Sequence, residues 1–336
     1  MTADAVSVEE ELLSAETVGE FLSSRGLVPP GTPVEARTLG GGVSNVVLSV
    51  DAGRLHAVVK QSLPKLRVAD DWPAKRERTT TEANALRVAG RIYQGSVPQV
   101  IASFPDAFVL VIARAPDTWQ NYKELLLSGE PEVWVAERCG TILAKWHAAT
   151  WDDEEVRTRF HDEEAFEQLR IDPYYRTVAR RRPEVAATVQ GYIDRMLQNR
   201  RCLVHGDFSP KNVLFGTRDL WIVDFETAHF GDPVFDLAFM LNHLILKSIH
   251  RPEIADKCLQ SAEAFLGAYA ALLDTPAADY LVGQTACLLL ARVDGKSPAE
   301  YLTEPERVIA RSLGDRLLSS PGSVRSAWAV LGEVAA

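Results

Sequence analysis

Between Cys202 and Asp236 three brief apolar runs, CLV, NVLF and LWIV, alternate with two short polar clusters, HGD and VDFE. Runs of this length, rich in Val, Ile, Leu and Phe, are the pattern of buried strands. With Gly216 in a turn, the stretch predicts a strand, a loop, a hairpin and a second loop. Nearer the N-terminus, a helical segment (VSVEEELLSAETVGEFLSSRG) precedes VEARTL, which alternates as a strand and runs into GGGVSN. VVLSV and LHAVVKQS follow as strands, the segment RERTTTEANALRVAG reads as a helix, and VPQVIASF and AFVLVIARA read as two further strands. The five strands make an antiparallel sheet, which ends at Pro116.

From Trp119 onward the pattern turns helical. In PEVWVAERCGTILAKWHAATW, apolar residues recur every three or four positions, so Trp134, Ile142, Leu143 and Trp146 form one core-facing stripe. His147 on that helix reads as structural. DPVFDLAFMLNHLILKSIH reads as a buried helix, and more helices follow to the C-terminus. The polar turn ARVDGKSPAEYL carries Arg292, Asp294 and Lys296, which either line an acceptor site or cap a loop.

Composition narrows the class. At 336 residues and 46% hydrophobic content, the chain can bury a sizeable core and is long enough for about two domains. No apolar run approaches the ~20 residues needed to span a bilayer, and the N-terminus is acidic, so a cytoplasmic protein without membrane partners is expected. Cys139, Cys202, Cys258 and Cys287 are far apart and read as reduced, buried thiols. A net charge of −10 argues against nucleic acid as a partner. Residues 1–115 carry 12 basic and 13 acidic side chains and the remainder 24 and 33. That acidic second half either attracts a cationic acceptor or simply solvates the surface. The runs WDDEE and HDEE offer the same two readings.

The chemistry follows from residue types. Asp207 and Asp224 are brought close by a hairpin, and apposed carboxylates repel unless a cation or proton lies between them. Asn212 adds a neutral oxygen, and hard oxygen ligands suit Mg²⁺, normally completed by phosphates. If Asn212 and Asp224 hold the metal, Asp207 is left to accept a hydroxyl proton. The plain alternative is a pair of capped turns. Gly40, Gly41 and Gly42 would let backbone N–H groups approach phosphate oxygens, with Ser44 adding a hydroxyl. Lys60 ends the apolar run AVV, after the glycine-rich turn and before a helix offering Glu82 as its ion-pair partner, with Glu77 as the fallback.

HGDFSPKN followed by VDFE resembles the catalytic and metal-binding loops of the aminoglycoside phosphotransferase and choline kinase-like superfamily, relatives of the protein kinases. GDPVFDLA resembles the segment that comes next. The resemblance implies an α+β, two-lobed protein kinase-like fold: a small nucleotide-binding lobe over residues 1–115 with a five-stranded antiparallel sheet, and a larger, mainly helical lobe over 116–336. It implies ATP and Mg²⁺ as cofactors, Asp207 as catalytic base, and Asn212 and Asp224 as metal ligands. His205 would brace the loop and Asp236 steady it by hydrogen bonding. Lys60 would hold the α- and β-phosphates, and backbone groups of Ile112 to Arg114 would face the adenine edge. Where many relatives carry a second His two residues after the catalytic Asp, this chain has Ser209, near where the acceptor would enter.

The expected activity is therefore phosphorylation of a small-molecule hydroxyl: a metabolic sugar, thiosugar or amino alcohol, with an aminoglycoside as the alternative acceptor. Two rivals belong to other classes. A nucleotide-binding regulator without catalysis should have lost Lys60, Asp207, Asn212 or Asp224, and all four are present. A metal-dependent hydrolase using His205, Asp207 and Asp224 as ligands leaves Lys60 and the glycine turn unexplained.

Overall fold

The computed structural model describes residues 12–40, 44–67, 72 and 74–335. The alternating runs of the first part form β1 (Glu35–Thr38), β2 (Asn45–Ala52), β3 (Leu55–Ser62), β4 (Val100–Phe104) and β5 (Val109–Ala113). Their order is β1-β2-β3-β5-β4, with every neighbouring pair antiparallel. Because side chains alternate across a strand, Val46, Leu48 and Val50 share a face with Ala57, Val59, Val109 and Val111. Val18 and Leu22, one turn apart on the helix Val18–Ser24, belong to the same core. Lys60 is out of phase with that set and lies on the opposite face, in register with Val47 and Leu110.

The chain divides into two compact units, Met1–Thr80 with Val100–Arg114, and Thr81–Gln99 with Ala115–Ala336. One break falls after Arg114. Residues 81–99, expected to belong to the small lobe, group instead with the helical unit. Side-chain chemistry explains the difference. Lys145 and Arg138 lie over the Tyr93 ring at 3.8 and 4.9 Å, and the Ser96 carbonyl accepts the Ile222 N–H at 2.8 Å.

In the helical unit, Ile142, Leu143 and Trp146 of the helix Val133–Ala149 are buried as the periodicity predicts. Trp134 sits at the margin, edge-on to Phe215 at 5.8 Å. Gly140 lets this helix cross Ala255–Ala270 closely, because a Cβ there would lie 2.1 Å from the Phe265 carbonyl oxygen. The helix Val234–His250 is buried from Val234 to Ile249, and Ala278–Asp294 from Tyr280 to Val293. All four cysteines are buried free thiols.

Five short strands frame the predicted loops: β6 (Gln120–Asn121), β7 (Cys202–Val204), β8 (Val213–Phe215), β9 (Leu220–Ile222) and β10 (His229–Gly231). β8 and β9 form a hairpin extended by β6, and β10 returns to pair with β7. The loop from His205 to Asn212 and the loop from Val223 to Ala228 are thereby held side by side, each anchored by paired strands.

Candidate active site

The 205–212 loop hangs from one buried carboxylate. Asp236, in the first turn of Val234–His250, accepts the His205 N–H with Oδ2 at 2.7 Å and the Gly206 N–H with Oδ1 at 2.9 Å. His147 Nε2 lies 3.3 Å from the same Oδ2, and its Nδ1 is 2.9 Å from the Tyr269 hydroxyl. His147 is therefore structural, as its helical setting predicts, and supports Asp236 from the far side. Gly206 has φ 77°, and a Cβ there would meet the Thr227 carbonyl oxygen at 2.6 Å, so no larger residue fits.

His205 joins the two loops. Its Nε2 is 3.1 Å from the Val223 carbonyl, which can only accept, so Nε2 carries the proton. Nδ1 then accepts the Asp207 N–H at 3.1 Å. Burial pushes this imidazole below its ordinary pKa, outweighing the carboxylates of Asp236, Asp207 and Asp224, and the ring is neutral. With both nitrogens engaged, His205 has no lone pair for a metal, which removes the hydrolase reading.

Asp207 is 2% exposed, and its partners converge on one oxygen. Oδ2 receives Asn212 Nδ2 at 2.9 Å, Lys211 Nζ at 2.7 Å and Arg170 Nη2 at 3.0 Å. Among the described residues no hydrogen bond goes to Oδ1. Burial pushes the carboxyl up, but the Arg170 and Lys211 charges prevail and hold it below its ordinary value, so it is ionised. Arg170 also donates from Nε to the Gly206 carbonyl at 2.9 Å, tying side chain and loop together. It sits in a π-helical stretch, Glu167–Arg176, interrupted by Pro173. Such wide turns concentrate at functional sites.

Asp224 follows β9 with φ 73°, a left-handed conformation that Asp tolerates better than most residues. Phe225 anchors it, 4.2 Å from the His205 ring and 5.3 Å from Trp146. These residues suit Mg²⁺. Asn212 spends its amide N–H groups on the Asp207 carbonyl and carboxylate, both at 2.9 Å, which leaves its Oδ1 as an acceptor, and its backbone carbonyl accepts the Val223 N–H of the Asp224 loop at 3.0 Å. Two hard oxygens are a partial shell of the kind that phosphates and water complete.

In the smaller unit, Lys60 is 6% exposed and Ser44 is buried, whereas Gly40 is exposed. Gly41 and Gly42 lie outside the described residues. The Ser44 carbonyl accepts the Leu63 N–H at 3.0 Å and a bond from Arg78, which also donates to the Leu63 carbonyl at 3.0 Å. Arg76 Nε donates to the Ser62 carbonyl at 2.9 Å. Two of the basic residues after β3 thus clamp the chain, a role the polar sequence did not reveal. Glu82, in the helical unit, is fully buried, while Glu77 is exposed. Ile112 is paired within β5, and the Arg114 N–H goes to the His56 carbonyl at 3.2 Å.

The acidic runs prove to be caps: Asp153 accepts the Glu155 and Val156 N–H groups at 2.8 and 2.9 Å, and Asp162 accepts that of Glu164 at 2.9 Å. The polar turn splits. Asp294 pairs with Arg311 at 2.8 Å and Lys296 with Asp172 at 3.1 Å, both structural ties, while Arg292 turns toward Tyr174. Ser209 is buried, and among the described residues its hydroxyl has no hydrogen-bond partner. Sequence reasoning missed Arg170 and Lys211. The second stands one residue before Asn212 and was within reach; the first lies 36 residues upstream of the loop it holds.

The phosphotransferase enzyme family matches residues 35–272 of the chain. A methylthioribose kinase of Geobacillus sp. (strain WCH70) is 24% identical over 256 residues, which cover 68% of this chain and 64% of that protein. The chain thus matches slightly under two thirds of that relative's length. Two solved structures share the fold. The choline kinase LicA from Streptococcus pneumoniae has 16% identity and a TM-score of 0.51 over 91% of this chain and 98% of its own. A spectinomycin phosphotransferase in complex with ADP and spectinomycin has 11% identity and a TM-score of 0.53, covering 96% of this chain and all (100%) of its own. With the paired loops, the braced Asp207 and a family match spanning most of its length, this chain belongs to the phosphotransferase enzyme family.

Proposed function

We propose that the protein transfers the γ-phosphoryl group of ATP to a hydroxyl of a small molecule, with Mg²⁺ as the metal. The observation that carries this reading is the asymmetry of Asp207, whose Oδ2 is taken by three side chains while Oδ1 has no partner among the described residues. A carboxylate held ionised, fixed by one oxygen and open at the other, is built to take a hydroxyl hydrogen bond. Oδ1 would orient the acceptor O–H for in-line attack and receive its proton as the new bond forms. Its low basicity suits a loose transition state, in which the proton leaves late.

Asn212 and Asp224 would hold Mg²⁺, which when bound neutralises charge on the phosphates. Gly40, Gly41, Gly42, Ser44 and Lys60 would bind the triphosphate, with Glu82 orienting the lysine and the backbone of Ile112 and Arg114 at the base. His205 and Asp236 keep the 205–212 loop in register with the 223–228 loop. A sugar-type hydroxyl acceptor agrees with the similarity to methylthioribose kinase.

ADP release with ATP and Mg²⁺ across sugars, thiosugars, amino alcohols and aminoglycosides tests the reading. Acceptor-dependent release should fall about 10²-fold or more in Asp207→Asn. Tight ATP binding without transfer to any acceptor would make the protein a nucleotide-binding regulator instead.

A further inference from the structure

The helical unit carries a group of cations for which phosphoryl transfer from ATP has no evident use. Lys247, fully buried on the helix Val234–His250, donates to the Tyr301 hydroxyl at 2.7 Å and lies 4.3 Å from that ring's centre. Among the described residues it has no carboxylate partner. Arg292, 9% exposed, donates from Nη1 to the Ser297 carbonyl at 2.5 Å and hydroxyl at 3.0 Å, and reaches the Tyr174 hydroxyl at 3.4 Å. Its buried Nε has no acceptor among the described residues. Lys123 stands 6.0 Å from the Tyr301 ring. Against these cations is one exposed carboxylate, Glu300, with Oε1 2.6 Å from Lys123 and Oε2 4.0 Å from Arg292.

The group is continuous with the catalytic loop. The Arg170 guanidinium, bonded to Asp207, lies 5.7 Å from the rings of both Tyr174 and Phe239. Phe239 in turn lies 5.3 Å from His243. Asp236, Phe239, His243 and Lys247 follow one another at spacings of three and four residues, so a single helix face leads from the loop to Lys247.

Beyond Asp236 the charges on His243 and Lys247 are mainly positive, with Glu300 set against them. Burial pushes the Lys247 ammonium well down, and the Arg292 and Lys123 charges push it further than Glu300 restores. Burial and the charges of Lys247, Arg292, Lys211 and Lys123 all act on His243 in the same direction. Tyr174 shows the converse: burial pushes its phenol up, yet the Arg292 and Arg170 charges bring it below its ordinary value. A buried amine or guanidinium without a close carboxylate is unfavourable as a cation, and either gives up its proton or draws in negative charge from elsewhere.

We propose that Arg292, with the Lys247 charge behind it, binds an anionic group of the acceptor, a carboxylate or phosphate, so that the substrate is an anionic hydroxyl compound such as a sugar acid or sugar phosphate. This refines the kinase reading and rests on it. The acceptor oxygen bonds the γ-phosphorus, the bond to the β,γ-bridging oxygen breaks, the hydroxyl proton passes to Asp207, and ADP leaves. An anionic acceptor favours the second of the two readings of the acidic second half, a solvated surface, over attraction of a cationic acceptor. Net charge is set over the whole surface, whereas Lys247 lies on the helix face that starts at the reacting loop and Arg292 reaches Tyr174, whose ring is beside Arg170.

The test compares ribose, ribonate, ribose 5-phosphate and glucosamine in ADP release by the full chain, and in thermal shift without nucleotide. Wild type, Lys247→Met and Arg292→Gln are run together. A hydrogen-bonded charge pair predicts an advantage of about tenfold to a hundredfold in kcat/KM for an anionic compound over ribose. That advantage, and the anion's upward shift in Tm, should vanish in both variants. Lys247→Met should itself melt higher than wild type, which shows that it folds. The carboxylate and phosphate arms identify the group. Turnover of ribose or glucosamine as good as that of either anion, or variants that slow every acceptor alike, overturns the proposal. If no compound is turned over, the kinase reading fails for this panel and thermal shift decides alone. A Tm rise with anion that Lys247→Met abolishes then sustains the anion site, and its absence overturns it.

Discussion

Arg170 Nη2 stands 3.0 Å from the Asp207 carboxylate while its Nε donates to the carbonyl of Gly206, the residue just before. One guanidinium therefore fixes both the side chain and the backbone of the proposed catalytic position. Its charge is also a main reason that Asp207 is ionised despite complete burial.

Arg170→Met removes both effects. With burial less opposed, the Asp207 pKa rises, so the acid limb of the kcat/KM profile moves to higher pH. Loss of orientation should cost about 10²-fold in kcat/KM at neutral pH. A variant with an unshifted acid limb would assign Arg170 to packing alone.

Asp236 accepts two buried backbone N–H groups, and Asp236→Asn offers one acceptor oxygen where two are needed. Leaving one buried N–H unpaired should cost about 1–3 kcal/mol, read as a lower urea midpoint. Transfer activity should fall with it, because the Gly206 peptide carries Asp207. Unchanged midpoint and rate would show that the loop is held by other means.

At Asp224 conformation and chemistry separate. With φ 73°, glycine fits the backbone better than alanine, so Asp224→Gly should be more stable than Asp224→Ala by about 1 kcal/mol. Both should lose Mg²⁺-dependent transfer. Comparing their unfolding free energies with their activities distinguishes a conformational role from a ligand role.

How far the sequence reached depends on the range of the interaction involved. The strand, loop, hairpin and second loop were legible because each rests on apolar runs of three or four residues, and Asp207, Asn212 and Asp224 fall in those loops. The strand that carries Lys60 was legible from its apolar run, whereas the face on which Lys60 lies needed the register with β2 and β5. Arg170 was not, because its partner lies 36 residues on and its own helix is wound off the usual period. His147 was read correctly as structural, yet its partner Asp236, 89 residues away, leaves no mark on local pattern. The grouping of residues 81–99 with the helical unit was not legible for the same reason, since it rests on Tyr93 and Ser96 meeting distant side chains and backbone. Arg292 was singled out within its turn, but only the fold shows that Asp294 and Lys296 are spoken for while Arg292 keeps an unsatisfied Nε.

Acid should weaken the protein through its buried histidines, and His229 gives the measurable share. Its Nδ1 is 3.0 Å from the Thr227 carbonyl and its ring stacks on Phe166 at 4.0 Å. Burial pushes its pKa down to about 4, with Arg200 acting the same way and Asp236 opposing. The unfolded chain, with an ordinary histidine near 6.5, binds this proton first, so stability is full above about pH 6.5 and declines as pH falls toward 4. A displacement of that size corresponds to roughly 3 kcal/mol over the window. His205 and His243 are displaced in the same direction and add to the decline. In His229→Asn the amide can still donate to Thr227 but cannot titrate. The variant should therefore lose less stability than wild type between pH 6.5 and 4 in urea unfolding, with the two curves converging toward the acid end. Parallel curves would mean that His229 is already protonated in the folded protein, and that its stacking on Phe166 tolerates the charge.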